Sequence, residues 1–159
     1  MVWKTDGYIG ASPHVWDRAV GWYIMSLLDI IPVLPKDHRI YPTILDYFHT
    51  VSAALLKAQD ESGGWWLVMG DEYVGREGNY IETSGSSMFV YSFLKAIKLG
   101  LLPKGDYYEA AKKGWQLLTS QYITEDDEGL FQMDGIIWVG LPGSYEVNIE
   151  ACLSSHLMC

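Results

Sequence analysis

Cysteine is nearly absent from this chain. Two occur in 159 residues, Cys152 and Cys159, both close to the end. Two thiols so placed make no disulfide framework, and no Cys-x-x-Cys pair suggests a metal. Basic residues are scarce as well: 11 Lys and Arg stand against 20 Asp and Glu, for a net charge of −9. No run of Lys and Arg occurs, which argues against nucleic acid, whose phosphates need clustered cations, and against an anionic membrane surface. No apolar stretch is long enough to span a bilayer. The first residues, MVWKTDGYIG, lack the basic and apolar regions of a signal peptide. With Met1 as the true start, a cytoplasmic protein is expected. There is no Gly-x-Ser-x-Gly nucleophile elbow and no phosphate loop. The histidines His14, His38, His49 and His156 are not spaced as a metal pair.

What is present in surplus is aromatic. Trp and Tyr number 7 and 11, in a chain whose hydrophobic fraction of 49% and charged fraction of 19% are ordinary for a globular protein. Each such ring has a flat apolar face and a polar edge. Sugars have the matching anatomy, with C–H faces and hydroxyl edges. A sugar pocket and a merely aromatic core both fit this composition. Any anionic ligand would need a local cation, which draws attention to each Arg.

Four segments carry helical periodicity. In the first, Trp16, Ala19, Val20, Tyr23, Ile24, Leu27, Leu28 and Ile31 recur at three- and four-residue steps, after Ser12 and Pro13 as cap and first-turn proline, and before Pro32 and Pro35. The second has Ile44, Tyr47, Phe48, Val51, Leu55 and Ala58 on one face, with Asp37 as candidate cap. The third runs through Phe89, Val90, Phe93, Leu94 and Ile97 to Gly100, capped by Thr83 or Ser84. The fourth carries Tyr108, Ala111, Trp115, Leu118 and Tyr122. Long Gly- and aromatic-rich loops, read as short hairpins or irregular loops, follow the second and fourth. Helix, short turn, helix, long loop is then a unit that recurs, as in a solenoid or a closed helical toroid whose loops build the site at one rim.

Chemistry concentrates in SPHVWDRAVGW. Trp16, Arg18 and Trp22 fall around the start of the first helix, where backbone N–H groups favour an anion. A guanidinium can grip a carboxylate with two hydrogen bonds, and the Trp faces can stack on a ring. Pairing of Arg18 with Asp17 or another surface carboxylate, over core tryptophans, fits equally well. His14 lies near enough to share this rim. Gly21 costs about 1 kcal/mol inside a helix relative to Ala and implies a close approach, by a helix or a ligand. Glu82, Thr83 and Ser84 bring polar groups to the start of the third helix, for capping or for a pocket.

The run WDRAVGWYIMSLLDIIPVLPKDH resembles the hallmark segment of glycoside hydrolase family 105, in which Trp-x-Arg-x-x-Gly-Trp opens a helix; here it stands as Trp16, Arg18, Gly21 and Trp22. The run YIETSGSSMFVYSF is similar to the family's second recognisable segment, and GGWWLVM and GSYE also fit. The resemblance spans Ser12 to Glu146. It implies an all-α fold, the helical hairpins of an incomplete α/α six-hairpin toroid, over residues 1–146, followed by a divergent tail at 147–159. It implies hydrolysis of an unsaturated galacturonyl end of a pectin-derived oligosaccharide by hydration of its C4=C5 double bond. An aspartate protonates C4, water adds at C5, and the hemiketal opens to release the neighbouring sugar. No metal or cofactor is implied. By the same resemblance Arg18 would hold the uronate carboxylate and Trp16 and Trp22 would wall the pocket, with His14, Glu82 and Ser84 beside them.

The family's catalytic Asp lies on an earlier helix, so it is expected upstream of Met1, and neither Asp6 nor Asp17 matches its position. Twelve helices would need about twice this chain, at usual helix and loop lengths. Half a toroid should expose an apolar face and self-associate through it. Two other readings stand beside the hydrolase. One is a non-catalytic helical module that binds acidic sugar or a protein partner. The other is a sister enzyme acting on glycosaminoglycan or alginate fragments.

Overall fold

The computed structural model describes residues 14–136, together with the two short strands β1 (Lys4–Thr5) and β2 (Tyr8–Ile9). Ser12 and Pro13, the Gly-Ser-Tyr-Glu run, both cysteines and the tail lie outside the described residues. Strand β3 (Val15–Trp16) leads directly into helix α1 (Asp17–Ile30). Helix α2 (Tyr41–Ala58) follows. A long loop holds β4 (Val68–Met69) and a single 3₁₀ turn, and helices α3 (Thr83–Lys98) and α4 (Gly105–Leu117) complete the bundle. A π-helical turn at Leu118–Tyr122 then feeds the hairpin of β5 (Ile123–Glu125) and β6 (Phe131–Met133).

The four periodic segments are thus helices, but their starts differ from expectation. Trp16 is not in the first turn of α1. It has extended backbone, pairs with Val68 across β3 and β4, and is the capping residue without a side-chain cap bond. Asp37 does not cap α2. The residue before α2 is Ile40, and Pro42 enters the first turn, where a missing N–H costs nothing. Neither Thr83 nor Ser84 caps α3. Glu82 does, its carboxylate accepting the Gly85 N–H. Gly100, at φ +71°, closes α3 as expected.

Helix α3 is central. It packs on α1 at one side and α4 at the other, and α1 also meets α2. The buried core runs through Ile24, Leu28, Phe48, Leu55, Phe89 and Phe93. Trp65 reaches into it from the long loop, edge-on to Phe89 at 5.2 Å, with its N–H on the Leu55 carbonyl at 2.8 Å. A ring of this size removes about 200 Å² from water, worth about 5 kcal/mol before entropy. The loop is therefore anchored in the core and is not a free connector. Gly21 has its explanation here. A Cβ at that position would run into Met88 of α3, so the close approach is to a helix.

The long loop folds back on itself. Trp66 bridges to Ile81, and the Leu67 N–H bonds the Tyr80 carbonyl at 2.8 Å. Asn79 ties the return, accepting from the Val68 N–H and donating to the Val68 and Tyr73 carbonyls. β4 is then free to pair with β3, which delivers Trp16 and Asp17 to the start of α3. No helix among the described residues is long and apolar enough to cross a membrane.

Candidate functional site

The starts of α1 and α3 meet. Arg18, in the first turn of α1, reaches across to Glu82, its Nη2 lying 2.9 Å from Oε1. Glu82 is fully buried and Arg18 is 18% exposed. Burying a lone carboxylate is costly, so the carboxylate is held from several sides. Ser84 Oγ donates to both Glu82 oxygens at 2.9 Å, and the Gly85 N–H donates to Oε2 at 2.7 Å. The Trp16 ring lies beside the guanidinium, 5.7 Å from its Cζ, as a cation–π partner.

Asp17 is buried beside this pair. Its backbone N–H goes to the Leu67 carbonyl at 3.1 Å, and its Oδ1 accepts the Arg18 N–H at 2.6 Å. The N–H groups of Asp17 and Arg18 are therefore satisfied within the protein and are not open to an incoming anion. Burial, and then the adjacent Glu82 charge, push the Asp17 carboxyl well above the ordinary carboxylate range. The Arg18 N–H and charge offset only part of this.

The rim is built by the long loop. Tyr73 hydrogen-bonds His14 Nδ1 at 2.8 Å, with the rings edge to face. Tyr73 and Trp16 both pack against buried Leu67 and Val68. Arg76 lies over the other rim ring, 5.2 Å from the Tyr73 centroid. Among the described residues no group of three His, Cys, Asp or Glu is placed to hold a metal ion.

The profile of Glycosyl Hydrolase Family 88 matches residues 4–147. The chain belongs to that family. A 24.9 kDa protein in the picA locus of Rhizobium radiobacter is 34% identical over 142 residues, covering 87% of this chain and 60% of that one. An unsaturated rhamnogalacturonyl hydrolase of Bacillus subtilis, YesR, is 27% identical over 97 residues, covering 61% of this chain and 27% of YesR. A family 105 glycoside hydrolase structure from C. acetobutylicum superposes with a TM-score of 0.77 at 39% identity, over 89% of this chain and 39% of that one. The chain thus spans less than two thirds of the relatives it matches, and its helical hairpins form part of the family's α/α toroid.

Arg18, Glu82 and Ser84 come together directly, Trp16 joins them through its ring, and His14 joins the same rim through Tyr73. Trp22 does not join them. It sits one turn after Arg18 on α1 and is 59% exposed. Among the described residues the ion-pair partner of the Arg18 guanidinium is the buried Glu82. Two members of the cluster escape sequence reasoning, Asp17 and Tyr73. In the sequence Asp17 reads as an ordinary first-turn acid of α1.

Proposed function

We propose that this chain carries the uronate-binding part of an unsaturated uronyl hydrolase, with Arg18 as the residue that takes the sugar carboxylate. The observation that carries this is the state of Arg18. Its guanidinium is held in place by a buried carboxylate at 2.9 Å and by the Trp16 face, yet the side chain remains partly open to solvent. Such preorganisation places charge before the ligand arrives and spares the cost of ordering a long side chain at that moment. Trp16 offers a flat wall to the sugar, with His14 and Tyr73 at the rim.

The reaction proposed is hydration of the C4=C5 double bond. Water supplies a hydroxyl to C5 and a proton reaches C4. The hemiketal so formed opens to a ketone and expels the neighbouring sugar. Arg18 binds and orients; the acid is expected from a residue outside this set. The similarity to YesR supports a rhamnogalacturonan fragment as substrate.

The test is loss of the double-bond ultraviolet absorbance when the chain meets an unsaturated rhamnogalacturonan disaccharide, alongside binding followed by Trp fluorescence. Binding that Arg18→Ala abolishes is expected. Unchanged affinity in that variant would overturn the site assignment. Binding without absorbance loss would favour the non-catalytic reading for the isolated chain.

A further inference from the structure

Two buried carboxyls, Asp17 and Glu82, lie at the meeting of α1 and α3 beside the Arg18 guanidinium. Glu82 receives Arg18 Nη2, the Ser84 hydroxyl and the Gly85 N–H. Asp17 Oδ1 receives the Arg18 backbone N–H, whereas Asp17 Oδ2 is buried with no hydrogen-bond partner among the described residues. A carboxylate oxygen so placed, acceptor only and without a donor, is among the costlier arrangements a protein interior can hold. Its surroundings are closed. A Cβ on Gly85 would run into this same carboxyl, so the space above it is taken up by the α3 backbone. Among the described residues the charged and titratable groups that act on Asp17 are Glu82 from the start of α3 and Arg18 from its own helix, and the Leu67 and Gly85 backbones contribute none.

One proton resolves the arrangement. We infer that Asp17 is a neutral carboxylic acid whose Oδ2–H is donated to Glu82, and that through Glu82 it is a positioning residue for Arg18. Asp17 then adds no second negative charge beside the Arg18–Glu82 pair. An ionised Asp17 would bury an oxygen, Oδ2, that no donor among the described residues meets, which proteins avoid by shifting a proton. Burial and the Glu82 charge both act in the direction of keeping that proton. The consequence for binding, which rests on the uronate reading above, is twofold. Glu82 cannot swing toward solvent to repel an incoming carboxylate, because three donors and the Asp17 proton hold it. Arg18 in turn keeps one orientation.

The signs for pH follow. A carboxyl whose folded value is raised costs nothing below its ordinary value. Above it, folding stability falls with rising pH until the folded group itself ionises. Asp17→Asn supplies an amide N–H in place of the O–H and has no proton to lose. Its stability relative to the natural chain should therefore grow by about tenfold in the folding equilibrium per pH unit above the ordinary carboxylate range, up to that ionisation.

Three readouts on the full chain decide the matter. The carboxyl carbon of Asp17, assigned by its loss in Asp17→Asn, is expected at the protonated-acid position in the carbon NMR spectrum at pH 7. An ionised signal there overturns the shared proton. Urea midpoints of the natural chain and Asp17→Asn between pH 4 and 9 should diverge as described, and a constant difference overturns it. Affinity for an unsaturated digalacturonate should stay within about twofold in Asp17→Asn and drop at least about tenfold in Asp17→Ala; equal affinity in Asp17→Ala means that Asp17 positions nothing. A natural chain that binds no uronide overturns the uronate reading alone, since the carboxyl signal judges the proton without any ligand.

Discussion

The seam between α1 and α3 and the outer faces of α1 and α4 are built from the same kinds of residue, yet they are opposites. In the seam Ile24, Leu28, Phe89 and Phe93 are completely removed from water, and glycines bring the helices together. On the outer faces Trp22 and Trp115 are 59% and 57% exposed, while Trp65 in the core is 0% exposed. Helix α4 shows the difference within a single stripe. Ala111 is buried, whereas Tyr108 and Trp115 flank an open apolar groove of about 300 Å³ with Leu94. A second apolar groove, about 340 Å³, opens between α1 and α2 beside Val15 and Met69. Periodicity marks which face of a helix is apolar. It carries no information on whether a partner covers that face.

The contrast can be broken hardest at its centre. Phe89→Ala should lower stability by about 3–5 kcal/mol in urea unfolding, because a fully buried ring leaves a cavity between α1, α3 and the loop. A loss under about 1 kcal/mol would mean that the seam is not the core. Next in size, Gly85→Ala places a methyl against the Asp17 carboxyl and should cost about 1–3 kcal/mol, read by the same unfolding curves. A neutral result would show that the helix starts have room to part.

The outer faces should respond in the other way. Trp22→Ser and Trp115→Ser are expected to change stability by no more than about 0.5 kcal/mol, as exposed positions do. We propose that these faces drive self-association, so sedimentation of the double variant should show a smaller species than the natural chain; identical sedimentation would count against that role.

The smallest effect belongs to Asp60 at the turn after α2. Burial pushes its carboxyl up, but bonds from Ser62, the Trp66 N–H and the nearby Lys113 charge together hold it below the usual range. Its contribution is therefore present above the ordinary carboxylate value and fades as pH falls through the folded value. Asp60→Asn should slightly flatten the loss of stability toward acid, with the urea midpoint compared at pH 7 and pH 3.

Much of the fold is legible in the residues alone. Ile24, Leu28, Phe48, Leu55, Phe89 and Phe93 lie where their three- and four-residue spacing puts them, because a buried helix face must recur every 3.6 residues. The alternation of short turns and long loops is legible too, and so is the family, from two separate motifs in order. Helix starts are not. Asp37 has the chemistry of a cap but stands four residues ahead of α2, and Glu82 lacks that preference but takes the place of Thr83 and Ser84 at α3. Local propensity is worth about 1 kcal/mol at a cap, and a charge pair formed across two helices outweighs it.

At the site the division runs through single residues. Residue identity by itself drew attention to two separate clusters, Trp16, Arg18 and Trp22 at one helix start and Glu82, Thr83 and Ser84 at another, each with a structural reading that fitted as well. Only the tertiary structure decided the partners. It set Arg18 on Glu82, 64 positions away. It sent Trp22 outward and drew Asp17 inward. The physical reason is that a side chain's charge state and exposure depend on what packs over it. At Asp17 that cover is the start of α3, brought close by a glycine whose missing side chain leaves room for a carboxyl.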